Sequence, residues 1–311
     1  MTLTQLKYMN AVAEFGNFTI AAEKCCVTQP TLSMQVQKLE EQLGVKIFNR
    51  SIKPIILTDI GEKIIIQAKK ITEEASRMDD IVSTEKGFIG GEFKLGIIPT
   101  VMPTLLPMFL NIFTKKYPKV DLKIEELTTV SITKLIKEGH IDAGIAATPL
   151  GTDTIIELPL YHEPFVAYIP NTSPLKSLDQ IEIGDLNSSD ILILEDGHCF
   201  RDHVLNLCKV NSFSSNRFDL KSGSFETLIN LADEGLGMTL LPYLNADSLS
   251  TEKKKNLKFF PNPAPAREVS LIHSNSMLKL PVINVLRSTI SSIIRGAIKF
   301  DDIKVISPQK V

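Results

Sequence analysis

Ile64, Ala68, Ile71, Ala75, Met78 and Val82 recur at spacings of 4, 3, 4, 3 and 4 residues. That period predicts one long helix over residues 61–86, with an apolar seam and charged residues around it. A lone helix with a single seam buries it only against a partner, so the chain is expected to self-associate. The helix also separates a short segment of sixty residues from a much larger remainder. Gly87, Gly90 and Gly91 follow it as a hinge.

The short segment reads as small helices. Leu3, Leu6, Met9, Val12 and Ala13 form a helical stripe that Gly16-Asn17 ends, and Thr19 is the expected cap of a second helix. Thr28 and Pro30 suit the start of a third, with Leu32, Val36 and Leu39 inward. Gln29, Thr31, Ser33, Gln35 and Lys38 are left facing out. Gly44 breaks this helix, and residues 47–50 and 55–58 alternate as two short strands around a wing at 51–54. The pattern is that of a winged helix-turn-helix over residues 1–60. Its recognition helix would show amides and hydroxyls to base edges, with Arg50 placed for a minor groove or a phosphate. Residues 1–58 carry six Lys/Arg against four Asp/Glu, in a chain whose net charge is −2. That tilt suits phosphate contact, though such small surpluses are common on solvated surfaces.

Residues 21–33 (AAEKCCVTQPTLS), with Lys38-Leu39-Glu40 and residues 43–50 (LGVKIFNR), closely resemble the DNA-binding domain of LysR-type regulators. The resemblance implies a linker helix that dimerises over 61–90 and an effector domain like periplasmic binding proteins. It also implies assembly as dimers or tetramers on double-stranded DNA, and RNA polymerase as a further partner. Cys25 and Cys26 depart from it, since one cysteine suffices for packing at that place.

Beyond the hinge, strand and helix patterns alternate. Strands are expected at 93–98, 122–127, 141–146, 165–169, 191–194, 238–241 and 269–273, and helices at 104–117 and 132–138. Strands separated by helix-length connections predict parallel sheets in an α/β fold. The stretch from 91 to 301 exceeds what one small sheet holds, so two lobes with a cleft are expected, followed by a tail at 302–311. Hydrophobic residues make up 43% and charged residues 23% of the chain, which is ordinary globular composition. No apolar run reaches the ~18 residues a membrane span requires. Residues 1–5 lack the basic and apolar regions of a secretory leader, so a cytoplasmic protein with free thiols is expected and the Asn171-Thr172-Ser173 sequon carries no meaning. With no Cys-x-x-Cys and five scattered histidines, no metal is expected, and no cofactor; Gly235-Leu236-Gly237 is too little for a dinucleotide loop. Arg267 can pair with an effector-domain carboxylate, but no motif fixes its role.

Residues 191–208 (ILILEDGHCFRDHVLNLC) hold a second informative pattern. A strand runs into an Asp-Gly turn and a helix begins near Phe200. Cys199 at that helix start would have its thiolate favoured by unpaired N–H groups, with His198 and Arg201 adding positive field and Glu195 and Asp196 opposing it. A thiolate attacks a peroxide O–O bond to give a sulfenic acid, which a second thiol converts to a disulfide; Cys208 is the candidate. If the intervening residues are helical, the two Cα atoms lie more than ~10 Å apart, whereas a disulfide needs them within ~7 Å. Pairing would therefore require the helix to be rebuilt, which makes the segment a switch. On chemistry alone, the alternative of two buried small apolar side chains stays open.

Residues 194–202 with Cys208, together with residues 96–100, Leu158-Pro159-Leu160, Glu163-Pro164 and residues 239–242, are similar to the hydrogen peroxide-sensing branch of the LysR type. That resemblance implies a peroxidatic Cys199, a resolving Cys208, and Thr100, Thr129 and His198 as the residues that hold peroxide or polarise its leaving oxygen. Thr128 adjoins Thr129 and competes for the assignment. The resemblance implies a regulator that controls oxidative-stress genes rather than an enzyme. The alternative is a LysR-type regulator with a small metabolite in the inter-lobe cleft and incidental cysteines.

Overall fold

The computed structural model describes residues 1–51, 54–85, 88–186, 191–209, 220–298 and 302–309. The chain forms two compact units, Met1–Gly87 and Phe88–Val311. Ile52 and Lys53 of the expected wing, Gly87 of the hinge, and Lys310 and Val311 of the tail lie outside the described residues.

In the first unit, α1 (Leu3–Phe15), α2 (Phe18–Lys24) and α3 (Gln29–Leu43) precede the antiparallel pair β1 (Phe48–Asn49) and β2 (Ile56–Leu57). The long helix α4 (Asp59–Glu85) follows. Gly16 ends α1 at φ 58°, a left-handed angle that costs glycine little. The cap of α2 is Asn17 and not Thr19: Asn17 Oδ1 accepts from the N–H groups of Thr19 and Ile20 at 2.8 and 3.2 Å. Asparagine tolerates the extended cap angle and offers an acceptor two residues ahead of the first free N–H. Thr28 holds the cap position of α3, but its hydroxyl meets Thr31 Oγ1 at 2.8 Å instead of a helix N–H. Leu32, Val36 and Leu39 are fully buried against Met9, Val12 and Ala21.

The seam of α4 is divided. Ile65 and Ala68 are buried, Ile64 and Ile71 pack at the edge of the same core, and Asn10 of α1 donates to Thr72 Oγ1 at 3.2 Å. The first half of the helix is thus covered within its own unit, contrary to the expectation that the whole seam needs a partner. Further along, Met78, Ile81 and Val82 are 69%, 50% and 51% exposed.

The second unit has two cores. In chain order its elements are β3 (Gly91–Ile97), α5 (Met102–Lys116), β4 (Val120–Glu126), α6 (Thr129–Lys137), β5 (Ala143–Thr148) and β6 (Ile155–Tyr168). Then come β7 (Ile191–Leu192), α7 (Cys199–Cys208), α8 (Phe225–Asp233), β8 (Met238–Pro242), α9 (Tyr243–Asp247), α10 (Thr251–Lys254), β9 (Leu257–Phe259), β10 (Ala264–Ser274), α11 (Leu280–Ala297) and β11 (Ile303–Val305). The strand order is β4-β3-β5-β10-β6-β8-β7.

The sheet is mixed rather than parallel. β3, β4 and β5 are parallel, but β10 runs antiparallel to both β5 and β6. The two long strands make the difference: β6 pairs with β10 up to Pro164, then with β8 and β9 from Phe165 onward. It therefore passes from one lobe into the other. The first lobe packs Phe93, Ile97, Phe109, Ile132, Leu271 and Ile290. The second packs Val166, Tyr168, Phe200, Val204, Leu228 and Leu240. Within β5, a Cβ on Gly144 would lie 2.3 Å from Ile132 Cγ2. Only glycine lets α6 sit this close to the sheet, and that approach fixes where the first residue of α6, Thr129, ends up.

Candidate functional site

On α3, Gln29, Pro30 and Thr31 are exposed at the N-terminal end, the part of a recognition helix that meets base edges. Two other residues differ from expectation. Gln35 is half-buried and its Oε1 accepts from Gln5 Nε2 at 3.2 Å, so its amide is partly committed to α1. Arg50 does not project freely. Its Nη2 binds Glu40 Oε2 at 3.1 Å, its Nη1 reaches Ser33 Oγ at 3.4 Å, and its guanidinium lies 4.8 Å over the Phe18 ring. Glu40 is the organising residue that the sequence pattern did not single out. It is 1% exposed, and its Oε1 accepts from Ile47 and Phe48 N–H at 2.7 and 3.1 Å. A buried carboxylate needs such partners, and here they tie the start of the wing to the recognition helix.

The thiol segment centres on α7, whose two ends are the two cysteines. Cys199 is its first residue, 9% exposed, and packs into the first-lobe core, whereas Phe200, Val204, Leu207 and Cys208 pack into the second. Nine helical steps separate the cysteines by roughly 13 Å, and both are free thiols.

The charge around Cys199 differs from the sequence expectation. Burial pushes the thiol up, and Arg267, the Thr129 hydroxyl and an Ala147 backbone N–H offset this only in part, with Asp202 pushing upward. Neither expected cation serves it. Arg201 Nε binds Asp196 Oδ1 at 2.9 Å and its Nη1 the Leu194 carbonyl at 3.0 Å. His198 Nε2 lies 3.9 Å from Glu195 Oε1, with its ring against Gly223. Arg201 is thus committed to Asp196 and the Leu194 carbonyl. Burial also raises the Cys208 thiol, to about 11.

The cation that does bear on Cys199 is Arg267. It is fully buried on β10; its Nε and Nη2 hold Glu163 Oε2 at 2.9 and 2.7 Å. Its Nη1 donates to Thr100 Oγ1 at 2.8 Å and its Nη2 to the Thr100 carbonyl at 3.1 Å. The second Glu163 oxygen accepts from Leu244 N–H at 2.9 Å. The Phe200 ring of α7 lies 5.4 Å from the guanidinium. Every oxygen and nitrogen of the pair is thus used, which a buried ion pair requires; removing one partner from such a pair costs roughly 3–5 kcal/mol. Thr100 joins the site through this arginine, and its own hydroxyl proton is left for another acceptor.

Thr128 and Thr129 have separate roles. Thr128 is the N-cap of α6, its Oγ1 accepting from Ser131 N–H at 3.3 Å. Thr129 Oγ1 is buried without a partner of hydrogen-bond geometry among the described residues, and it lies near enough to Cys199 to favour the thiolate as a donor. His203, one turn along α7 from Cys199, is fully buried between Phe165 and Phe200. Its Nδ1 lies 2.8 Å from the Cys199 carbonyl, so Nδ1 carries the proton and Nε2 is a bare acceptor, also unpartnered. Burial first, then Arg267, lowers its pKa to about 3.

Residues 3–62 match the family described as bacterial regulatory helix-turn-helix protein, lysR family, and residues 86–292 match the LysR substrate binding domain. The hydrogen peroxide-inducible genes activator of Pectobacterium carotovorum is 32% identical over 276 residues, 88% of this chain and 90% of that protein. The DNA-binding transcriptional dual regulator OxyR of Escherichia coli K12 is likewise 32% identical, over 88% of this chain and 89% of its own length. The chain belongs to the LysR family, in its OxyR branch. A full-length OxyR variant from Pseudomonas aeruginosa superposes with a TM-score of 0.74 at 34% identity, covering 94% of this chain and 98% of its own. A hydrogen peroxide-bound OxyR mutant from Corynebacterium glutamicum gives 0.64 at 29% identity, covering 95% and 93%. As a LysR-family chain it is a helix-turn-helix regulator with a two-lobed effector domain. No helix among its described residues is long and apolar enough to cross a membrane.

Proposed function

We propose that this chain is a cytoplasmic transcription regulator switched on by hydrogen peroxide through Cys199 and Cys208, and that it controls oxidative-stress genes. The observation that carries the reading is the place of Cys199: at the first turn of α7, buried in the first-lobe core, within the field of Arg267 and beside the Thr129 hydroxyl. In the first step the Cys199 sulfur attacks one peroxide oxygen, the O–O bond breaks, and the thiol proton leaves with the other oxygen as water. Sulfur loses two electrons and becomes a sulfenic acid. Thr129 and Thr100 supply hydroxyls to hold peroxide, and His198, the residue before Cys199, supplies an imidazole to polarise the leaving oxygen. In the second step the Cys208 thiol displaces the sulfenic oxygen as water and the disulfide closes. That bond needs Cα atoms within ~7 Å, so α7 has to be rebuilt.

The output is carried by Gln29, Pro30, Thr31 and Ser33 on α3, with Gln35 and Arg50 supporting them, on double-stranded DNA. Self-association as a dimer or tetramer uses the exposed Met78, Ile81 and Val82 of α4, and RNA polymerase is the partner of the DNA-bound form. The test is a thiol map by mass spectrometry after equimolar peroxide. A Cys199–Cys208 disulfide with Cys25 and Cys26 still free is expected; a reduced Cys199 after the peroxide is consumed would overturn the reading.

A further inference from the structure

We propose that Tyr161 is a further catalytic residue of the thiol site, donating a hydrogen bond from its phenolic hydroxyl to the oxygen that leaves when Cys199 attacks peroxide. The inference rests on the peroxide reading above and deepens it.

Strand alternation places this hydroxyl. Tyr161, Glu163 and Phe165 are two residues apart on β6 and therefore share a face. Tyr161 is opposite Val269 and Glu163 opposite Arg267 in the antiparallel pairing, so the β10 side chains Val269 and Arg267 lie on that face too. The face looks at the start of α7: Glu163 holds Arg267, Arg267 lies over Phe200, and Phe165 meets Phe200 and His203 edge-on at 5.3 and 5.8 Å. Tyr161 packs in the same core as Cys199. Its hydroxyl is buried in a residue only 7% exposed and has no partner among the described residues. Burial, with the Glu163 carboxylate, raises it well above the usual phenol range, and Arg267 opposes this. It therefore stays protonated, as a donor that keeps its proton.

A buried hydroxyl left unpartnered costs about 1–3 kcal/mol, and phenylalanine would fill the same strand position without that cost. The hydroxyl has a use when a small polar molecule enters between Cys199 and Arg267. As the O–O bond breaks, negative charge gathers on the departing oxygen. A fixed donor aimed there stabilises the transition state more than the ground state. The thiol proton still completes the water, so Tyr161 is unchanged at the end of the step.

Tyr161→Phe, prepared alongside the parent in a Cys208→Ser chain so that the sulfenic acid accumulates, separates this role from packing. Two second-order rates are measured at Cys199, with hydrogen peroxide and with iodoacetamide, whose leaving group is iodide rather than oxygen. The peroxide rate is expected to fall at least tenfold, the iodoacetamide rate to stay within twofold, and thermal stability to be unchanged or higher. A peroxide rate within twofold of the parent would overturn the proposal, as would an equal fall in both rates, which would place the effect on the thiol itself. Loss of folding would count against it equally, since an unpartnered hydroxyl contributes no stability. If the parent Cys199 fails to react with peroxide at all, the peroxide reading itself fails and this one with it.

Discussion

Arg267 holds the thiol site together. Its guanidinium joins β6, through Glu163, to the turn after β3, through Thr100, and it is the cation that offsets the cost of a buried Cys199 thiolate. Little of this is legible from residue types. Cys199 and Cys208 stand out by their chemistry and their spacing on one helix, and a carboxylate partner is expected for Arg267, but nothing in the residue pattern names Glu163, 104 positions away. Both residues lie just outside the strand runs expected at 165–169 and 269–273, and Glu157 and Glu268 carry charge in the same two strands, so charge alone does not pick out the pair. His203 was missed for a similar reason, since a histidine one turn from a cysteine becomes informative only once both are known to be buried. It has a measurable consequence. In the folded reduced chain His203 titrates near 3, against 6.5 when free. Between those values the unfolded chain binds one more proton, so the folded state loses stability as pH falls below about 6.5, by at most about 1.4 kcal/mol per unit. His203→Gln is expected to flatten the fall in the unfolding midpoint of the reduced protein between pH 6 and 4. An unaltered slope would mean that His203 is not held neutral.

Two helices carry the proposed assembly and switch, and each was partly legible. The period of α4 fixed its length and its apolar stripe, but period alone cannot say which turns are covered by the unit the helix grows from. Ile64, Ala68 and Ile71 are covered there, and Met78, Ile81 and Val82 are not. Replacing these last three together by glutamate is therefore expected to convert the assembled protein to monomers in sedimentation velocity. The fold of the helix-turn-helix should survive, because the Ala68 contact and the Asn10–Thr72 hydrogen bond are untouched. Unchanged sedimentation would remove the α4 surface from the assembly. In α7, sequence placed the helix start and the separation of the thiols, but it assigned the wrong cations. Side-chain pairing decided that: Arg201 is held by Asp196 at 2.9 Å, His198 lies 3.9 Å from Glu195, and the cation that bears on the thiol is Arg267. Whether Thr128 or Thr129 faces the site was likewise undecidable until the α6 cap was known.

At the scale of the whole chain, the alternation of strands and helices gave the α/β class and the two lobes, and erred on strand direction. Direction is set by β6 and β10, whose length lets them pair within one lobe and, for β6, continue into the other. Helix α7 belongs to this crossing: one cysteine is packed in each core. A disulfide between them pulls the two anchors together, so the first lobe gives up Cys199 or the second gives up Cys208. A change confined to α7 therefore becomes a change in how the effector unit is built, which is what a regulator needs for one oxidised thiol pair to reach the DNA-binding unit. The most direct test is a hydroxyl-radical footprint of reduced and peroxide-oxidised protein on the DNA upstream of its own gene, with the Cys199–Cys208 disulfide quantified in each sample. Protection of sugar-phosphate positions is expected to move between the two forms, and to stay fixed in a Cys199→Ser chain. Identical footprints with the disulfide fully formed would contradict the account.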